Sequence, residues 1–173
     1  MINGAFIISS LFAVIIIAGM LTDTFKMKLP NWLFLAFTIL FIFTCWFYSI
    51  SWNIWRWNLL ALVVVLFVGF LLFALSGGRD FGAGDAKFIA GIALWMGFDL
   101  ILVEYLIFIG LYGGALAILF LFLKLYLFNV LPPWRWLEAA RKHIGRMPYG
   151  IAIGGAGLTM FRETEIFHII FGL

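Results

Sequence analysis

The chain has 173 residues, 66% of them apolar and only 11% charged, with a net charge of +3. A soluble domain of this length is about half apolar and a quarter charged, so the polar side chains here cannot cover a water-soluble globule. No basic run carries aromatics at nucleotide spacing, which argues against a nucleic-acid partner. The one cysteine, Cys45, lies inside an apolar run, where it can form neither an internal disulfide nor a zinc pair and reads as a small filler.

A helix needs roughly 20 apolar residues to cross a bilayer. Six runs approach or reach that length, and the fold class expected is an all-α polytopic membrane protein of about six helices in one domain, residues 1–173. The first run, residues 4–21, has no basic residues before it and no clear small-residue cleavage site after it. It is expected to be a retained span rather than a signal peptide. It stops at Thr22-Asp23, and Lys26, Lys28 and Pro30-Asn31 follow. The second run covers 32–48. A polar, tryptophan-rich stretch, 51–58, reads as a turn before the third run, 59–75. A glycine-rich segment containing Arg79, Asp80, Gly82, Gly84 and Asp85 leads to a short fourth run, 88–98. The fifth covers 105–123, with a start nearer Leu100 also open, and the sixth, 149–161, is again short and glycine-rich. Between the last two lies a polar connection, 124–147. In it Trp134, Leu137 and Ile144 share a face apart from Arg135, Glu138, Lys142 and Arg146, as in an interfacial amphipathic helix or a basic loop that sets topology. Small residues four apart, Gly110 to Gly114 and Gly150 to Gly154, suggest close helix packing within the chain.

Basic residues concentrate in cytoplasmic loops. With the N-terminus outside, Lys26, Lys28, Arg79, Lys87, Lys124, Arg135, Arg141, Lys142 and Arg146 fall inside, against Arg56 and Arg162 outside. The same topology brings Asp23 and Asp85 to one face, the cytoplasmic one.

Ionisable groups at membrane depth are costly and mark function by default. Glu138, Glu163 and Glu165 lie in loops or the tail, Asp99 and Glu104 flank an outer connection, and Asp80 sits beside Arg79. Asp23 and Asp85 instead stand where an apolar span meets a loop. Gly82 and Gly84 allow positive φ or a close backbone approach next to Asp85. The fourth run is too short for a roughly 30 Å core, so Asp85 is expected in a recess below the membrane surface. Two facing carboxylates share a proton and can activate water against a peptide carbonyl. Topology, helix capping and cation binding remain open for them at this point. No His-Glu-x-x-His motif is present, and His143 and His168 are expected on opposite sides.

Gly82-Ala83-Gly84-Asp85-Ala86-Lys87 resembles the Gly-x-Gly-Asp-x-Lys motif of the type IV prepilin peptidases. Asp23 with Lys28-Leu29-Pro30-Asn31-Trp32 resembles that family's first aspartate region, with leucine in place of isoleucine. Pro148-Tyr149-Gly150-Ile151-Ala152-Ile153 is similar to the opening of its last span. The resemblance implies a bacterial inner-membrane aspartic endopeptidase that removes basic leaders from prepilins at the cytoplasmic face, after a glycine. It makes Asp23 and Asp85 the catalytic pair and gives Gly82, Gly84, Lys87, Pro30, Asn31, Pro148, Tyr149 and Gly150 motif or substrate-shaping places. It implies no cofactor or metal, and as partners a prepilin or pseudopilin helix and the lipid bilayer. Larger members carry paired Cys-x-x-Cys motifs and methylate the new N-terminus. This chain lacks those cysteines and is similar to the short members that serve Flp-type (Tad) pili. A small ion-coupled transporter using the same carboxylates, or a non-catalytic pilus assembly factor, is the alternative reading.

Overall fold

The computed structural model describes residues 2–77, 82–129 and 147–173. Among these there is no strand, and the protein is an all-α membrane protein. Its helices are α1 (Ile2–Lys26), α2 (Asn31–Phe47), α3 (Trp52–Leu75), α4 (Ala83–Met96), α5 (Leu100–Asn129) and α6 (Gly150–Met160), followed by a 3-10 turn, Phe161–Glu163, and α7 (Glu165–Phe171). The six apolar runs thus become α1 to α6. Three of them, α1, α3 and α5, are long and apolar enough to cross a membrane by length and composition, and α2 is a shorter apolar helix. α4 and α6 span only about 21 and 16 Å at the usual rise. The proposed amphipathic helix, with Arg79 and Asp80, lies outside the described residues.

Several boundaries differ from those expected. The tryptophan-rich stretch is not a turn: the Ser51 hydroxyl accepts the Asn53 N–H at 3.3 Å and starts α3 at Trp52. Asn58, in that stretch, is buried, and its amide donates to the Leu94 carbonyl at 3.0 Å, satisfying one of the carbonyls that α4 leaves open at its C-terminal end. α4 begins five residues before the expected start and ends at Gly97, whose φ of 78° is one that L side chains rarely adopt. α5 starts at Leu100, the earlier of the two starts considered, where the Asp99 carboxylate accepts the Leu100 N–H at 2.7 Å. The apolar tail forms a further helix, α7, capped by Thr164.

α4 is the axis of the packing. From Phe88 to Met96 every residue is buried, so this helix faces neighbours rather than lipid. Phe12, Phe37, Phe41, Phe88, Trp95 and Phe161 fill the centre, with Phe12 stacked on Phe161 at 4.2 Å and Trp95 edge-on to Phe41 at 5.5 Å. α2, α3, α5 and α6 all pack on α4. Long apolar side chains such as Phe67, Leu72, Ile118 and Phe122 stay on the outside, as a lipid-facing surface requires. Trp32 is exposed at one end of the bundle, and Trp46, Trp52 and Trp57 are exposed at the other, as in aromatic belts.

Gly154 and Gly157 let α1 and α6 close together: a Cβ at Gly154 would stand 2.6 Å from Met20 Cγ, and one at Gly157 would meet Ile92 and Ile16. The expected packing through Gly150 to Gly154 therefore holds. A Cβ at Gly110 or Gly114 would meet nothing within 4 Å among the described residues, and it is Gly113 between them that makes the contact, against Tyr149. Tyr105 is fully buried, and its hydroxyl has no hydrogen-bond partner among the described residues. Tyr105→Phe is expected to leave stability unchanged or raise it by about 1 kcal/mol, read by thermal unfolding in detergent, because it removes a desolvated and unpaired group.

Candidate active site

α1 runs past the expected end of its span and carries Asp23 in its last turns. It stops because Met27 takes a φ of 50°, returning its N–H to the Asp23 carbonyl at 2.9 Å and turning the chain into Lys28-Leu29-Pro30. The Asp23 side chain is only 7% exposed. Its Oδ2 accepts the Gly150 N–H at 2.6 Å. Gly150 opens α6, so this bond uses one of the amides a helix leaves unpaired, at the end of the dipole that favours an anion.

Asp85 lies in the first turn of α4 and is partly buried. Its Oδ2 reaches back to accept the Gly82 N–H at 3.2 Å, the carboxylate half of a capping box. Capping, one of the roles left open by the sequence, is therefore one that Asp85 fills. Of the two uses expected of these glycines, positive φ is not found and close backbone approach is. Gly82 has a φ of −85°, so the loop draws on no left-handed conformation there. Close approach is what matters at Gly84, where a Cβ would stand 3.2 Å from Leu29 Cβ and 3.3 Å from the Leu29 carbonyl oxygen.

The α1–α2 turn thus seats directly on the start of α4. A second link holds it there: Lys87 Nζ donates to Asn31 Oδ1 at 2.7 Å across 56 residues of sequence. Pro30, extended at φ −74° and ψ 149°, occupies the N-cap of α2 and sets where Asn31 begins. Gly150 must be small for a related reason, since a Cβ would come within 2.8 Å of Asp23 Cβ and 2.9 Å of Oδ2. Pro148 is buried, and the Tyr149 ring seats against Gly113 of α5.

The three sequence segments singled out above therefore converge at one end of the bundle, opposite the Asn58–Leu94 contact. Asp23 lies in the last turns of α1 and Asp85 in the first turn of α4, so both carboxylates stand at this end. Among the described residues each accepts a single hydrogen bond, on Oδ2. The remaining described acids, Asp99, Glu104, Glu163 and Glu165, are exposed and away from this end. Glu138 and His143 lie outside the described residues, and among those described no cluster of His, Cys, Asp or Glu is arranged to hold a metal ion. The links that the sequence did not reveal are Lys87–Asn31 and Gly84–Leu29. Their only signal was that these residues sit inside motifs.

The profile of the type IV leader peptidase family matches residues 10–124. The chain belongs to that family. No curated protein and no solved structure matches it. The matched region of this leader peptidase family member contains Asp23, Pro30, Asn31, Gly82, Gly84, Asp85 and Lys87. Pro148, Tyr149 and Gly150 lie beyond it and join the site through the Gly150–Asp23 bond. Membership makes peptide-bond hydrolysis the activity class, at a membrane protein. Within it, the Lys87–Asn31 link is expected to hold the α1–α2 turn against α4. Lys87→Met and Asn31→Ala should each lower the cleavage rate several-fold to about tenfold, and the double variant should lose no more than either alone, as for two ends of one bond.

Proposed function

We propose that the protein is a membrane-embedded aspartic endopeptidase, one peptidase domain, that removes the leader of Flp-type prepilins at the cytoplasmic face of the bacterial inner membrane. The observation that carries the mechanism is the meeting of the α1–α2 turn, the start of α4 and the start of α6 at one end of the bundle, where Asp23 and Asp85 each accept a backbone amide. The clustering of Lys26, Lys28 and Lys87 near that end supports a cytoplasmic orientation, with the N-terminus outside.

Two carboxylates in one site cannot easily both ionise, so the pair holds one proton. The ionised member takes a proton from water, and the oxygen of that water attacks the scissile carbonyl carbon. The protonated member donates to the carbonyl oxygen. Collapse of the tetrahedral species breaks the C–N bond, and a proton passes to the departing amine, so that one water is added across the bond. Gly150 and Gly82 fix the carboxylates through their amides, and Gly84, Lys87, Asn31 and Pro30 set the approach of the two loops. Co-expression with a Flp-type prepilin tests the reading. The wild-type chain is expected to shorten the prepilin by its leader, with the new C-terminus at a glycine, and a prepilin that keeps its full length would count against it.

A further inference from the structure

α3 packs extensively on α4, α5 packs mainly on α6 and only lightly on α4, and α3 and α5 hardly meet, so among the described residues the flank of α4 between them is open. This leaves a lateral groove of about 320 Å³ with Val68 and Leu72 on one wall, Leu102 and Leu106 on the other, and Ala86 and Ile89 as its floor. We infer that this groove seats the apolar helical segment of the peptide substrate while its scissile bond lies at Asp85. The inference rests on the peptidase reading of the carboxylate pair.

Continuity with the site is the first argument. Ala86 follows Asp85 directly, and Ile89 is one helical turn beyond it, so a chain lying along the floor arrives at the carboxylate within a turn. The second is the chemistry of the walls, which are apolar over their length. At membrane depth an occupant must satisfy its own backbone, which selects a helix over an extended chain. The third is size: the volume is about twice that of an apolar cavity that accepts benzene, enough for two large side chains one turn apart. The fourth is the closure of the opposite approach. Gly150, Gly154 and Gly157 bring α6 against Asp23, Met20 and Ile16, so no chain passes between α1 and α6 to reach the site. A shallower groove beside Leu116 and Leu119 lies outside that closed seam.

The test uses the full-length protein in liposomes and two substrates that share one leader junction. One keeps its apolar segment, and the other is a short peptide that ends just after the junction. Val68 and Leu106 are 45% and 44% exposed, so Val68→Trp and Leu106→Trp fill the groove from its outer walls without entering the core. Each is expected to raise KM for the helix-bearing substrate about tenfold or more, the scale of a filled apolar pocket, and to leave kcat/KM for the short peptide unchanged. Leu116→Trp and Leu119→Trp should change neither. The inference is overturned if the groove variants leave the helix-bearing KM unmoved, if both substrates decline together, or if the Leu116 and Leu119 variants give the selective rise. A photoreactive residue at Leu102 in the Asp85→Asn variant should label the substrate's apolar segment, and labelling of phospholipid alone would overturn it. Wild-type protein that cuts neither substrate would fail the peptidase reading itself, whereas cleavage of both with no groove effect would fail this inference only.

Discussion

Asp23→Asn and Asp85→Asn are each expected to lower kcat/KM for leader cleavage by about 10²- to 10⁴-fold, the range attached to loss of a positioned acid or base. The double variant should be no worse than the weaker single, because one proton shared between two groups is lost with either. Both side chains keep their volume, so insertion and helix content should match the wild type. Asparagine can still accept the Gly150 N–H at position 23 and the Gly82 N–H at position 85 through its side-chain oxygen. Loss of activity with retained fold therefore separates chemistry from capping, the structural role Asp85 also fills. Additive losses would indicate two independent functions for the carboxylates. Wild-type activity in either variant would remove that residue from the mechanism.

Gly150→Ala is expected to cut activity about hundredfold, the scale that a misplacement of about 1 Å carries in a positioned site. Its new methyl would sit 2.8 Å from Asp23 Cβ and 2.9 Å from Oδ2, too close to be absorbed without moving the carboxylate or α6. Overpacking of this kind also costs about 1–3 kcal/mol of stability. Gly110→Ala and Gly114→Ala provide the contrast. Among the described residues neither has an atom within 4 Å of the added methyl, so activity should be unchanged and helix propensity should add a few tenths to about 1 kcal/mol. Measuring cleavage rate and unfolding temperature for all three variants checks the claim. A harmless Gly150→Ala would mean that the Asp23–Gly150 contact does not set the geometry of the site.

Much of this arrangement is legible in the sequence, for identifiable reasons. Membrane character follows from a charged fraction too small to clothe a globule, and the common end of Asp23 and Asp85 follows from where the apolar runs stop. The start of α4 is not legible, because Gly82 and Gly84 carry the signature of a loop. Only the neighbouring Leu29, brought from the α1–α2 turn, explains a glycine inside the first turn of a helix. The tryptophan-rich stretch misleads in the same way. Ser51, Asn53 and Asn58 read as polar turn residues, yet Ser51 is a cap and Asn58 is buried against the end of α4. Among the glycines, spacing singles out 110 and 114, while the contact belongs to 113, since a one-residue step rotates a side chain by about 100° around the helix. Lys87 shows the limit of composition most clearly. Its charge fits a membrane anchor, but its partner, Asn31, is visible only in three dimensions.

Asp23 and Asp85 are proposed to form a single water-activating site for leader removal. The most direct measurement is the product mass spectrum of a prepilin incubated with the purified protein in liposomes, wild type beside Asp85→Asn. Wild-type protein is expected to give two products whose masses sum to the substrate plus one water, with the leader ending at its glycine, and the variant to leave the substrate intact. Equal cleavage by both proteins, or intact substrate with the wild type, would contradict that proposal.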